Sequence, residues 1–264
     1  MDGCSGDVRV ARLTVSCPIR EGSLRTARSN TDTLLLDFDG TICATAPAIR
    51  FSLETAFSEL RVDVPNPRRI EIAIGSGLTL LETIQSLHPS SNLSREEILR
   101  LERRYREVYS AEGSQYEVLF PGAEATLEEC ARHARIIVLS NKGLKAIEAA
   151  VDRFALGQYV SPVLAERPGA PWKPDAGLFD EVQQRVPGVR RDRSLVVGDT
   201  EADLRFARNA SLSACWASYG YGHNARCRAV GFDYLLDQLE NLPRVLQDWS
   251  VQRSSGPAFP KKGD

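Results

Sequence analysis

The sequence predicts an α/β protein, a doubly wound parallel sheet of the Rossmann-like kind carrying an inserted helical cap. Three observations predict it. Short apolar runs suited to strands alternate with stretches of helical period. Polar residues gather directly behind those apolar runs, where a parallel sheet opens its ligand crevice. Residues 46–118 break the rhythm, showing helical patterns and no convincing strand.

Taken in chain order, residues 1–31 mix small, polar and arginine residues and read as a flexible extension. The first strand, "TLLLDFD", has leucines for burial on both faces. Alternation along an extended chain puts Asp37 and Asp39 on one side and Phe38 on the other. Two carboxylates so close call for either a shared proton or a bound cation. The insertion at 46–118 then supplies a helix with Ile49, Leu53, Phe57 and Leu60 on one face, opened by Thr45 as N-cap and by Pro47. A second helix is expected from about Leu78 to Leu87, behind the loop "IGSG" that contains Gly75 and Ser76. The third starts at "SREE", a capping box of Ser94 and Glu97, and carries Ile98, Leu101, Tyr105 and Val108 as a stripe.

Beyond the insertion, "RIIVLSN", "YVSPVLAE", "SLVVGDT" and "LSACWASYG" read as strands. Between them, Leu144, Ile147, Val151 and Phe154 share one helical face, as do Leu178, Phe179, Val182 and Val186. The expected organisation is a core of 32–45 and 119–249, a cap of 46–118 and a flexible tail of 250–264.

Composition narrows the function classes. The 264 residues carry 33 Lys and Arg against 35 Asp and Glu, so no global field attracts nucleic acid or an anionic membrane. A small-molecule partner and a cytoplasmic location are expected. No apolar run reaches membrane-spanning length. The six cysteines, Cys4, Cys17, Cys43, Cys130, Cys215 and Cys227, form no close pair, and only His88, His133 and His223 could join them, which argues against a zinc site or a disulfide framework.

The chemistry-bearing residues fall behind the strands. Asp37 and Asp39 follow the first, Ser140, Asn141 and Lys142 end the "RIIVL" strand, and Asp199 ends "SLVVG". "WKPD" places Lys173 before Pro174, a residue able to open a helix and aim the lysine. Asp203 sits at N3 of a T-x-x-D helix start, with reciprocal capping and an orienting role toward the metal site or Lys173 both open. Thr41 reads as a turn residue or as a support for Asp39.

In order and context, "DFDGT", the Ser140 strand end, Lys173 and "GDTEAD" resemble the haloacid dehalogenase superfamily of aspartate-nucleophile hydrolases, over about residues 32–245. The helical insertion resembles its small-cap subclass. "TAP", "IGSG", "YGYG" and "FDYLLDQLENL" look most like phosphoglycolate phosphatases. The resemblance implies a phosphatase acting on a small phosphorylated metabolite, with phosphoglycolate the leading substrate. Asp37 is implied as nucleophile and Asp39 as acid and base. Mg2+ would be held by the Asp37 carboxylate, the Asp39 carbonyl and Asp199, and phosphate by Ser140, Lys173 and amides near Gly40 and Asn141. Two departures stand out. Ala44 and Thr45 replace the usual Asp-Ser, which bears on how the cap hinge is anchored, and Trp172 replaces a small residue beside Lys173, where an indole would narrow the pocket. Arg50, Gly75 and Ser76 are the expected specificity residues. A sugar phosphomutase, a pyrophosphatase of the same superfamily and a non-catalytic binding protein are the alternatives, although the first cap helix has Ile49 and Arg50 where such mutases place a histidine.

Overall fold

The computed structural model describes residues 31–90 and 93–254. The expected N-terminal extension, Cys4, Cys17 and residues 255–264 lie outside this range. Six parallel strands form the central sheet: β1 (Asp32–Leu36), β4 (Ala134–Gly143), β5 (Val160–Glu166), β6 (Ser194–Gly198), β7 (Ser213–Ala217) and β8 (Tyr234–Leu236), in the order β5-β4-β1-β6-β7-β8. Two short strands, β2 (Cys43–Ala44) and β3 (Val118–Leu119), pair antiparallel at the two crossings into and out of the helical segment. The sequence shows neither, because two residues carry no period. The central β1 pairs with β4 on one side and β6 on the other, with Leu34 opposite both Ile136 and Leu195. This is the switch point at which the chain reverses its direction of travel across the sheet.

Alternation along β1 divides the core. Leu34 and Leu36 enter one apolar cluster with Ile136 and Val138, covered by α5 (Ala123–His133), α6 (Leu144–Arg153) and α10 (Leu242–Ser254). Leu35 enters the opposite cluster with Ile137, Leu139 and Val196, covered by α7 (Gly177–Arg185), α8 (Glu201–Asn209) and α9 (Asn224–Val230). Cys43, Cys130, Cys215 and Cys227 are free and buried. Among the described residues no helix is long and apolar enough to cross a membrane.

Among its described residues the inserted segment holds four α-helices where the sequence suggests three helices: α1 (Ala46–Glu59), α2 (Pro67–Ile74), α3 (Leu80–Leu87) and α4 (Arg95–Ala111). They build a core of their own from Leu53, Phe57, Ile70, Ile84, Leu101 and Tyr105. The helix missed in the sequence, α2, is opened by Asn66, whose side chain accepts the Arg68 N–H at 2.9 Å, with Pro67 at N1. The second expected helix begins at Leu80 rather than Leu78, because Thr79 caps it in a box with Glu82. The Ser94 and Glu97 box opens α4 as expected.

Two further expectations are corrected. Pro174 does not open a helix, since α7 starts three residues later at Gly177. The helix α10 runs to Ser254, past the expected start of the tail at 250. Its last turn is tied to the sheet by Asp32, whose carboxylate accepts the Ser250 hydroxyl at 2.9 Å and the Arg253 guanidinium at 2.6 and 2.9 Å. Replacing Arg253 with Met therefore leaves a mostly buried carboxylate short of its nearest cation, and is expected to cost about 1–3 kcal/mol of stability. Urea unfolding checks this, and a midpoint equal to that of the unchanged protein would refute it.

Candidate active site

The crevice beyond β1, β4 and β6 receives the loops that follow them, and its cavity measures about 840 Å³. Asp37 and Asp39, behind β1, both line it, while Phe38 between them is fully buried on the opposite side. Ser140 and Asn141, at the end of β4, and Lys173 also line it. Asp199, one residue beyond β6, lies fully buried next to Asp37.

Lys173 organises the deepest part. Its ammonium donates to Asp37 Oδ1 at 2.5 Å, to Asp203 Oδ1 at 2.6 Å and to the Leu139 carbonyl at 2.9 Å. Its backbone is clasped by the Asn141 side chain, which accepts the Lys173 N–H at 2.9 Å and donates to the Lys173 carbonyl and to the Gly77 carbonyl, both at 2.8 Å. The Asn141 side chain is thus spent as a brace between lysine and helical segment, while the expectation for phosphate concerned the backbone amides near it. Asp203 does both of the things its position suggested: Oδ2 accepts the Thr200 N–H at 3.0 Å and hydroxyl at 2.7 Å, while Oδ1 orients Lys173.

The loops are drawn tight around Asp199. Its Oδ2 accepts the Tyr221 N–H at 2.6 Å and its Oδ1 the Thr41 hydroxyl at 3.4 Å. Thr41 therefore supports Asp199 and not Asp39. Gly40 has φ +80°, and a Cβ there would collide with the Asp199 carboxylate, so both its backbone and its neighbour exclude a side chain. The Gly40 N–H donates to the Cys43 carbonyl at 2.8 Å, which takes this amide out of the expected phosphate-binding set. The bridge between Asp39 and Cys43 joins the Cys43 carbonyl and N–H to the Gly40 N–H and Phe38 carbonyl, so the Asp39 carbonyl is not consumed by it. The Tyr221 hydroxyl accepts the N–H groups of Thr45 and Ala46 at 2.7 and 3.0 Å, anchoring the first crossing at Thr45, one of the two residues where the sequence departs from the family pattern, and at its neighbour.

Asp37, Asp199 and Asp203 each offer an oxygen within 4.8 Å of the others. Burial raises the Asp37 pKa well above its ordinary value, against the pull of Lys173. Burial, then the Asp203 charge, pushes Asp199 up to about 7. Burial alone would lower the Lys173 pKa, but Asp203 and Asp37 overcome it and hold that ammonium above its ordinary value. A cluster of hard carboxylate oxygens, with no thiol or imidazole in it and more negative charge than one lysine offsets, fits a divalent cation of the magnesium type.

Three expected specificity residues are not brought to the cavity. Arg50 pairs with Glu71, and Ser76 turns its hydroxyl back to the Ile72 carbonyl at 2.7 Å. Gly75 packs against the Tyr221 carbonyl. Trp172 is 41% exposed and lies off the cavity lining, so its indole does not narrow the pocket. Ile49, Ile74, Leu78, Leu80 and Leu144 supply the apolar walls instead. Glu117 lines the cavity unanticipated, and Lys142, one of the strand-end residues the sequence singles out, joins it because alternation along β4 places it on the side that Ser140 faces.

A family model described as haloacid dehalogenase-like hydrolase matches residues 34–217. A phosphoglycolate phosphatase of Vibrio parahaemolyticus is 24% identical over 217 residues, 81% of this chain and 95% of the relative. A plasmid-borne phosphoglycolate phosphatase of Cupriavidus necator is 28% identical over 219 residues, 81% of this chain and 92% of the relative. A haloacid dehalogenase-like hydrolase structure from Streptococcus pneumoniae superposes with a TM-score of 0.72 at 21% identity, covering 82% of this chain and 99% of the other.

The electrostatics carry a pH signature. Because folded Asp199 titrates at about 7, above the ordinary carboxylate range, the folded metal-free protein holds a proton there that the unfolded chain has lost. This group's contribution to stability is therefore greatest in acid and falls as pH rises through 7. A cation must displace that proton, so Mg2+ affinity is expected to rise about fivefold from pH 6 to 7, by about twofold more above it, and then to flatten. Calorimetric titration with Mg2+ across that range checks the sign, and an affinity that does not change with pH would contradict it.

Proposed function

The chain belongs to the haloacid dehalogenase-like hydrolases, and from that premise we propose that it is a magnesium-dependent phosphatase working through an aspartyl phosphate on Asp37. The observation that carries this reading is the Asp37 carboxylate itself. It is buried at the mouth of the sheet, held by the Lys173 ammonium, with two more carboxylates within 4.8 Å.

In the proposed cycle an Asp37 oxygen attacks phosphorus while the bond from phosphorus to the leaving oxygen breaks, and Asp39 delivers a proton to that oxygen. Asp39 then takes a proton from water as the water oxygen attacks phosphorus, releasing inorganic phosphate and restoring Asp37. Ser140 would bind a phosphate oxygen, and the Lys173 ammonium, whose three N–H groups are taken by Asp37, Asp203 and the Leu139 carbonyl, would supply positive charge beside it. Asp37, Asp199 and the Asp39 carbonyl would hold the cation, which supplies positive charge against the anionic ester when bound. Asp203 orients Lys173, and the helices of 46–118 act as the cap that excludes bulk water and macromolecules.

Phosphoglycolate, for which the relatives are named, is the first substrate to consider. The cavity favours a second reading, since its volume of about 840 Å³ and its walls of Ile49, Ile74, Leu78 and Leu80 suit a larger, partly apolar leaving group.

Asp37→Asn is expected to abolish phosphate release. Asp39→Asn should lower kcat by about 10²–10⁴-fold on alkyl esters while retaining Mg2+ and phosphate binding. Near-normal turnover by Asp37→Asn would refute covalent catalysis. A phosphometabolite panel separates the substrate readings: kcat/KM highest for phosphoglycolate supports the first, and kcat/KM rising with apolar leaving-group size supports the second.

A further inference from the structure

A second, partly buried charge network meets the site at Asp39. The Lys142 ammonium, at the end of β4, donates to Asp39 Oδ1 at 2.8 Å, to the Tyr109 hydroxyl at 2.5 Å and to Glu117 Oε1 at 3.4 Å, which occupies all three of its N–H donors. The Tyr109 hydroxyl donates in turn to Glu117 Oε1, and Arg153, the last residue of α6, closes the chain on Glu117 Oε2. Only 1% of the Glu117 side chain is exposed, and its carboxylate is satisfied on both oxygens. Asp39 and Glu117 balance Lys142 and Arg153, so the cluster is neutral and tolerates burial.

The origin of each group matters. Tyr109 comes from α4, and Glu117 stands just before β3, where the chain returns from the helical segment. Lys142 and Arg153 come from the sheet layer. The helical segment therefore reaches the Asp39 carboxylate through one ammonium. An acid–base carboxylate must aim one oxygen at the leaving group, yet the terminal torsion of an aspartate is broad and weakly set. An ammonium fastened to Oδ1 fixes that torsion and leaves Oδ2 for the proton.

We propose that Lys142 is a positioning residue that sets the orientation of Asp39, and that Tyr109 and Glu117 make this setting depend on docking of the helical cap. The inference rests on the acid–base role given to Asp39 above. Without Tyr109 and Glu117 the ammonium loses two of its three partners, and Asp39 loses a fixed anchor. Acid catalysis is then competent only when the cap has closed over a substrate. A simple structural tether between cap and core would not make this distinction.

The test uses two esters that differ in their need for an acid. Phosphoglycolate has a poor alkoxide leaving group, whereas para-nitrophenyl phosphate leaves with little protonation. Lys142→Met is expected to lower kcat/KM about 10–100-fold for phosphoglycolate and less than about threefold for para-nitrophenyl phosphate. Tyr109→Phe, which removes one hydroxyl and keeps the ring, should shift the same ratio in the same direction. Lys142→Arg should restore part of it. In an Asp39→Asn background, Lys142→Met should cause no further loss on phosphoglycolate. Equal losses on both esters, or full additivity with Asp39→Asn, would overturn the assignment while leaving the phosphatase reading in place. Unimpaired phosphoglycolate hydrolysis by Asp39→Asn alone would remove the acid–base reading and this inference with it.

Discussion

The structure is organised around an excess of negative charge that it has deliberately taken out of water. Asp37, Asp199 and Asp203 converge within 4.8 Å, and the ammonium of Lys173 answers two of them. Burial of like charges is costly unless each is paired or hydrogen-bonded. Much of the surrounding architecture serves that requirement. Asn141 clasps the Lys173 backbone from both sides, Thr200 binds the second oxygen of Asp203, and Tyr221 and Thr41 donate to Asp199. Gly40 exists as glycine because the Asp199 carboxylate fills the space a side chain would need. The negative charge left over fits a divalent cation.

The same economy governs the joint between the sheet and the helical segment. At the first crossing, Tyr221 holds the amides of Thr45 and Ala46. At the second, Glu117 is gripped by Tyr109, Lys142 and Arg153. Between them β2 and β3 pair, so the two crossings are bound to one another as well as to the loops of the site. Residues that position a helical segment thus share hydrogen bonds with residues that face the cavity. The placement of the helical segment and the geometry of the cavity are not separable in this molecule.

Legibility in the sequence followed the range of the interactions involved. The strands β1, β4 and β6 were readable because burial on both faces demands unbroken apolar runs. The helix α4 was readable because its capping box and its stripe lie within one segment. The helix α2 was not, since Ile70, Ile72 and Ile74 alternate as a strand would; in the structure Ile70 is buried and Ile72 is 57% exposed. Arg50, expected to determine specificity, lies off the cavity lining and pairs with Glu71 one helix away, a partner that a short stretch cannot reveal.

The sequence by itself determined the sheet architecture, the helical insertion and the gathering of Asp37, Asp39, Ser140, Lys173 and Asp199 at one end of the strands. Strand alternation and the rule that parallel strands open their crevice at their carboxyl ends act within a few residues of each motif. Only the tertiary structure decided that Asn141 braces Lys173, that Thr41 serves Asp199, that Ile49 and Leu78 line the cavity, and that Glu117 and Tyr109 reach Asp39 through Lys142. Those pairings join groups from about 25 to about 160 positions apart, and a hydrogen bond across such a separation is set by how whole layers pack, which no local pattern encodes.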